Sequence, residues 1–206
     1  MEALTLTSIT KHFEDKCLFT ELSFQFPTTG LFLLLGESGT GKTTLLRMIA
    51  GLDTNYSGTI DGGGKENVSM AFQEHRLLPS LSAIANVTEA LRPTGHDKKS
   101  IEAQAENALL SVGFPKTDFK TRPAALSGGM RQRVSLARAF AVKRPILLLD
   151  EPEKELDGQL RDLLYKTIEA AKSDRLVIVT THTPDRLLTI ADGIITIPMQ
   201  IPSKNA

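Results

Sequence analysis

Apolar and polar residues follow three patterns along this chain. Residues 3–9 (ALTLTSI) and 22–26 (LSFQF) alternate, which predicts strands with one wet face. Leu31 to Leu35, and the strands Ile146 to Asp150 and Leu176 to Thr180 up to their polar last residues, are unbroken apolar runs of strand length, as expected for strands buried on both sides. Val68 to Phe72, ending at Gln73, and Ile194 to Ile197 read as further strands. Helical spacing appears between them. Thr44 to Ile49 carries apolar residues on one side, and Ile84 to Leu91 is helical until Pro93. From about Asp97 a helix places Ile101, Ala105, Ala108 and Val112 on one face and stops at Gly113. Met130, Val134, Ala137 and Ala141 share another face, and a last helix spans roughly 158–171.

Strand and helix alternate at both ends of the chain, while the stretch from Ser80 to about Val112 is helical alone. The expected fold is α/β: a mostly parallel core sheet, an antiparallel β layer from the first residues, and an inserted α-helical lobe.

Composition narrows the picture only slightly. The 206 residues can bury a sizeable core, and Lys plus Arg equals Asp plus Glu at 24 each, so nothing marks a nucleic-acid surface. The single cysteine, Cys17, excludes an intrachain disulfide framework and fits a reducing compartment. The start, MEALTLTSIT, lacks the features of a signal peptide, and no apolar run approaches the ~20 residues of a membrane span. These features predict a soluble intracellular chain.

The candidate chemistry begins after the first apolar run. Gly36-Glu37-Ser38-Gly39-Thr40-Gly41-Lys42-Thr43 matches GxxxxGK[ST], with a strand before it and helix from Thr44 onward. Such a loop turns backbone N–H groups toward phosphate oxygens and adds the positive end of a helix dipole. Lys42 would reach the β- and γ-phosphates and the Thr43 hydroxyl would ligate Mg²⁺, so ATP with Mg²⁺ is the expected ligand. At the tip of the strand Ile146–Asp150, Asp150 would hold Mg²⁺ through water, and Glu151 is placed as general base.

Leu126-Ser127-Gly128-Gly129-Met130, followed by a basic helix, completes the pattern. Here the chain resembles the ATP-binding-cassette (ABC) ATPases, and the resemblance covers almost its whole length. It implies a P-loop NTPase cassette filling residues 1–206. The core and β layer would take 1–79 and 136–206, and the helical lobe approximately 80–135. It also implies that Ser127, Gly128 and Gly129 contact ATP held by the phosphate loop of a second subunit, so that two ATPs are clamped between head-to-tail chains. By the same resemblance Phe13 stacks on adenine, and Gln73 approaches Mg²⁺ and the attacking water while linking to the lobe. His182 contacts the γ-phosphate, and Leu156-Asp157 forms the loop that bridges the dimer.

The departures are Met130 in place of the usual glutamine, and Lys154 and Glu155 where small residues are common ahead of Leu156-Asp157. Little chain follows His182, so no C-terminal regulatory domain is expected. His12, His75 and His96 lack ligand spacing and read as solvated; Arg131, Arg133 and Arg138 read as a polar helix face with lobe contacts.

The resemblance implies partners as well. These are a second copy of the chain or a paralogous ATPase, integral-membrane permease subunits, and indirectly a solute-binding protein, with no nucleic acid. The chain would sit in the cytoplasm, peripheral on the inner face of the membrane. Glu74 to Ser80 is similar to the nitrate, sulfonate and taurine importers, and the apolar Leu77-Leu78-Pro79 offers a permease contact or packs under the lobe. An exporter or lipid-handling complex, a soluble cassette acting on ribosomes or DNA, and a non-hydrolysing structural subunit are the other readings.

Overall fold

A computed structural model describes residues 3–13, 16–95 and 97–197; His96 lies outside the described residues. The three unbroken apolar runs, with the two further strands, become a five-stranded parallel sheet in the order β5-β6-β7-β3-β8. Its strands are β3 (Gly30–Leu35), β5 (Val68–Ala71), β6 (Ile146–Asp150), β7 (Leu176–Thr180) and β8 (Gly193–Thr196). The register sets Asp150 beside Thr180 and Leu34 beside Thr180, so every strand ends at the same edge. Loops leaving that edge can meet, which is where ligands of open α/β sheets bind.

The two alternating segments join a third strand in a second, antiparallel sheet, β2-β1-β4, from β1 (Thr5–Phe13), β2 (Lys16–Gln25) and β4 (Ser57–Asp61). β1 and β2 are longer than the alternation predicts. The period is broken by register shifts between Leu6 and His12, and Ser8 and Glu21 take left-handed backbone (φ 49° and 51°). Each bulge returns the next side chain to the same face, so a simple period of two ends early. β5 stops at Ala71, two residues before Gln73.

Helix α1 (Lys42–Ile49) lies between the two sheets. Leu45, Leu46, Met48 and Ile49 pack between Leu6, Ile9 and Phe19 of the antiparallel layer and Leu34, Leu148 and Ile178 of the parallel sheet. Lys11 of β1 is buried and donates to Asp53 Oδ1 (3.0 Å) and Asn55 O (2.6 Å), fastening that layer to the chain just beyond α1.

On the other face of the parallel sheet, Leu147, Leu149, Val177 and Val179 meet one continuous apolar cluster. It draws on α2 (Ala83–Leu91), α3 (Lys98–Ser111), α4 (Gly128–Ala141) and α5 (Gly158–Ala171). The short α6 (Asp185–Leu188) contributes Leu187. Ser82, Asp97, Ser127 and Asp157 cap α2 to α5 by accepting a first-turn N–H. α4 runs unbroken across residue 135 and packs on α2 and α3 as well as β5. Met130 and Ala141 at its ends are only half-buried, whereas Gln132 and Ser135 are buried with Val134 and Ala137. This helix is therefore enclosed on more than the one face its apolar spacing predicts. Among the described residues no helix is long and apolar enough to cross a membrane.

Candidate nucleotide site

Four loops leave the shared edge of the parallel sheet and surround a cavity of about 430 Å³. The loop between β3 and α1 supplies Ser38, Gly39, Gly41, Lys42, Thr43 and Thr44. Gly39 and Gly41 have φ of 78° and 98°. A Cβ at Gly41 would stand 2.7 Å from the Phe19 ring, so glycine is required there by conformation and by space. Thr40 Oγ1 donates to Glu37 O (3.0 Å), and Lys42 Nζ donates to Gly36 O (2.7 Å) and Glu37 O (2.9 Å). The loop carbonyls thus hold the ammonium inside the turn.

The other loops bring Gln73, Glu151 and His182, which are 78 and 31 residues apart in sequence. Gln73 Nε2 donates to Glu151 Oε2 at 3.0 Å, and His182 Nε2 lies 2.9 Å from Glu151 Oε1. Because a carboxylate only accepts, the imidazole Nε2 is the donor. Glu151 itself is held in left-handed backbone (φ 49°), and its N–H donates to both Thr180 O and Thr180 Oγ1 at 3.1 Å. A bulky residue kept in that region by its surroundings marks a place where strain is tolerated for aim.

Asp150, buried at the end of β6, accepts from Thr180 Oγ1 through Oδ1 (2.6 Å). Its Oδ2 is buried without a hydrogen-bond partner among the described residues. Such an orphan acceptor beside a phosphate-type loop suits a hydrated cation better than any side chain present. Among the described residues no group of three or more His, Cys, Asp or Glu is arranged to hold a metal ion by itself. Phe13, 62% exposed at the end of β1, and Leu18 of β2 form the apolar side of the cavity, a platform open to a flat ring.

Sequence reasoning missed several supports. Thr180 ties Asp150 to Glu151 and is signalled only by its place before Thr181-His182. Glu153 accepts from the hydroxyls of Thr181 and Thr183 and so braces the His182 loop. Burial raises its carboxyl above the usual range, against those hydroxyls, and the neighbouring Glu151 charge adds to the rise. Gln132 of α4 donates to Pro152 O (3.0 Å), joining that helix to the turn after Glu151.

Ser127, Gly128, Gly129 and Asp157 lie apart from this cavity. Ser127 caps α4 and accepts from Met130 N (3.2 Å), and Gly128 and Gly129 open its first turn. Asp157 caps α5 by accepting from Leu160 N (2.9 Å). Neither set lines the cavity of its own chain. Arg138 reaches back to donate to Arg76 O (2.9 Å) and His75 O (3.3 Å), while Asn86, fully buried in α2, accepts from Leu78 N (2.7 Å) and donates to Leu78 O (3.2 Å). The segment after Gln73 is therefore strapped to α2 and α4. This packing makes His75 half-buried, 3.7 Å from Glu155, where the sequence predicts a solvated side chain. Leu77 packs on the large core cluster, whereas Leu78 (43% exposed) and Pro79 face solvent.

The ABC transporter family profile matches residues 19–154. An Fe(3+) ions import ATP-binding protein of Rhizobium meliloti (strain 1021) is 38% identical over 205 residues, covering 94% of this chain and 58% of the relative. The chain thus spans a little over half the length of such relatives. An aliphatic sulfonates import ATP-binding protein of Paracoccus denitrificans (strain Pd 1222) is 36% identical over 197 residues, covering 94% of this chain and 78% of the relative. Among solved structures, the dimeric structure of a bacterial ABC transporter cassette superposes with a TM-score of 0.87 at 23% identity, covering 95% of this chain and 94% of that one. With the fold, the edge geometry and these matches together, the chain belongs to the ABC transporter family.

Proposed function

We propose that this chain binds and hydrolyses ATP as the energising subunit of a membrane transporter. The observation that carries the reading is the convergence of Gln73 and His182 on the Glu151 carboxylate, at 3.0 Å and 2.9 Å, beside the Lys42 loop. Gly36 to Thr44 would cradle the triphosphate, with Lys42 on the β- and γ-oxygens and Phe13 against the adenine. Thr43, Gln73 and Asp150 would hold Mg²⁺, which when bound neutralises charge on the transferring phosphate. Glu151 takes the proton of the attacking water as its oxygen bonds to the γ-phosphorus and the bond to ADP breaks. Each carboxylate oxygen keeps a lone pair beyond those used by Gln73 and His182. His182, on the loop braced by Glu153, would steady the γ-phosphate.

Ser127, Gly128 and Gly129 stand at a helix start outside the cavity, which suits a site completed by a second chain. In this reading two chains sandwich two ATPs, and Asp157 bridges them. Residues 80–135 act as the lobe, and the strapped segment with exposed Leu78 and Pro79 meets a permease helix. The importer names borne by relatives favour uptake of a small solute, with the chain peripheral on the cytoplasmic membrane face and a solute-binding protein further out. Phosphate release from Mg-ATP tests the reading. The purified chain should turn over ATP, and Glu151→Gln should lower the rate by at least about 100-fold while ATP still binds. Release at the wild-type rate from that variant contradicts it.

A further inference from the structure

Glu155 lies between Glu151 and Asp157, and the fold gives it a definite place. The segment after β6 doubles back in a tight turn, with Lys154 N donating to Glu151 O and Leu156 N to Glu153 O, both at 3.2 Å. Glu155 takes left-handed backbone there (φ 64°). Its carboxylate then lies against the first glycine of α4. A Cβ built on Gly128 would stand 2.0 Å from Glu155 Oε2, and one on Gly129 would stand 2.5 Å from Glu155 O. Only glycines leave room for this contact. The Glu155 side chain is 40% exposed, with His75 Nε2 3.7 Å from its Oε2.

The first turn of a helix has amides without an intrahelical acceptor and favours an anion. In the sandwich reading, on which this inference rests, the anion is a phosphate of the ATP held by the other chain. Two anions then converge on one helix start. We propose that Glu155 is an internal latch on the signature helix: its carboxylate must leave Gly128 before the partner's ATP can dock, so it sets how much ATP is needed to close the dimer. The latch sits between Glu151 and Asp157, so releasing it moves the turn that joins the general base of one site to the bridging residue of the other.

The test uses the full chain carrying Glu151→Gln, which holds ATP without consuming it. Light scattering gives the Mg-ATP concentration for half-maximal dimer in that chain and after adding Glu155→Gln or Glu155→Ala. Both additions should lower this concentration by about fivefold or more, and the gain should shrink between 50 and 500 mM salt as the repulsion is screened. ATP affinity of the dilute single chain should stay within about twofold, since Glu155 does not line the cavity. An unchanged or higher ATP requirement overturns the latch, as does a gain in the alanine variant alone, which would be relief of bulk instead of charge. Loss of folding in both additions overturns it too, because a half-exposed carboxylate would then be a structural requirement. If the Glu151→Gln chain alone stays single in Mg-ATP, the sandwich reading itself has failed and the latch falls with it.

Discussion

The C-terminal edge of the parallel sheet and the start of α4 both present the first turn of a helix behind glycines, yet they are finished to different degrees. At the sheet edge, four loops from one chain close around a cavity, and Glu151 is aimed by Gln73, His182 and Thr180. At α4 the same chain supplies a cap and two glycines but no cavity wall, and its own Glu155 lies against those two glycines. In the proposed reading the difference means that one chain can complete nucleotide binding by itself, while hydrolysis requires another. Connections between the regions run through the fold. Gln132 bonds to the turn after Glu151, and Arg138 bonds to the segment after Gln73.

The largest effects should separate the two regions. Lys42→Ala removes the cation that the phosphate loop holds, so turnover should vanish and ATP binding to the single chain should fall at least about tenfold by titration calorimetry. Ser127→Arg should abolish turnover equally while leaving single-chain ATP binding within about twofold, since Ser127 is exposed and outside the cavity. If both variants lose binding alike, the two regions are not separable.

A smaller, more selective effect is expected at the strap after Gln73. Leu78→Glu places a charge on an exposed side chain whose backbone is already held by Asn86. Soluble ATPase activity should stay within a few-fold of wild type, whereas copurification with the permease and transport should be lost. Unfolding or loss of basal activity would instead make this residue part of the core and move the docking surface elsewhere on the lobe.

The smallest effect concerns stability and pH. Glu153 has a carboxyl raised above its usual range by burial, and its Oε2 lacks a partner among the described residues. Its proton binds more tightly in the folded state, so ionisation costs stability. That cost is absent below the ordinary carboxylate value, grows as pH rises and is complete above the raised one. Glu153→Gln should therefore raise the melting temperature by about 2–4 °C near pH 8, with the gain shrinking toward pH 4. A gain independent of pH would assign it to packing.

The parallel sheet was legible in the sequence because Leu31–Leu35, Ile146–Leu149 and Leu176–Val179 are apolar on both faces. The phosphate loop was legible because its glycines and Lys42 leave few other readings. The full lengths of β1 and β2 were not, since bulges at Ser8 and Glu21 interrupt the period. Nor was the burial of Gln132, Ser135 and His75, which follows from packing between segments far apart in sequence. Resemblance brought Gln73 and His182 into the candidate site by their order along the chain. Only the three-dimensional structure gives their hydrogen bonds to Glu151, and only it sets Glu155 against Gly128.

One measurement bears most directly on the contrast between a site complete in one chain and a site that needs two. Purified chain carrying Glu151→Gln is followed by multi-angle light scattering with and without Mg-ATP. The mass should double from that of a single 22.5 kDa chain when Mg-ATP is present and return when nucleotide is removed. The same mass in both conditions, with ATP shown to be bound, would contradict the account.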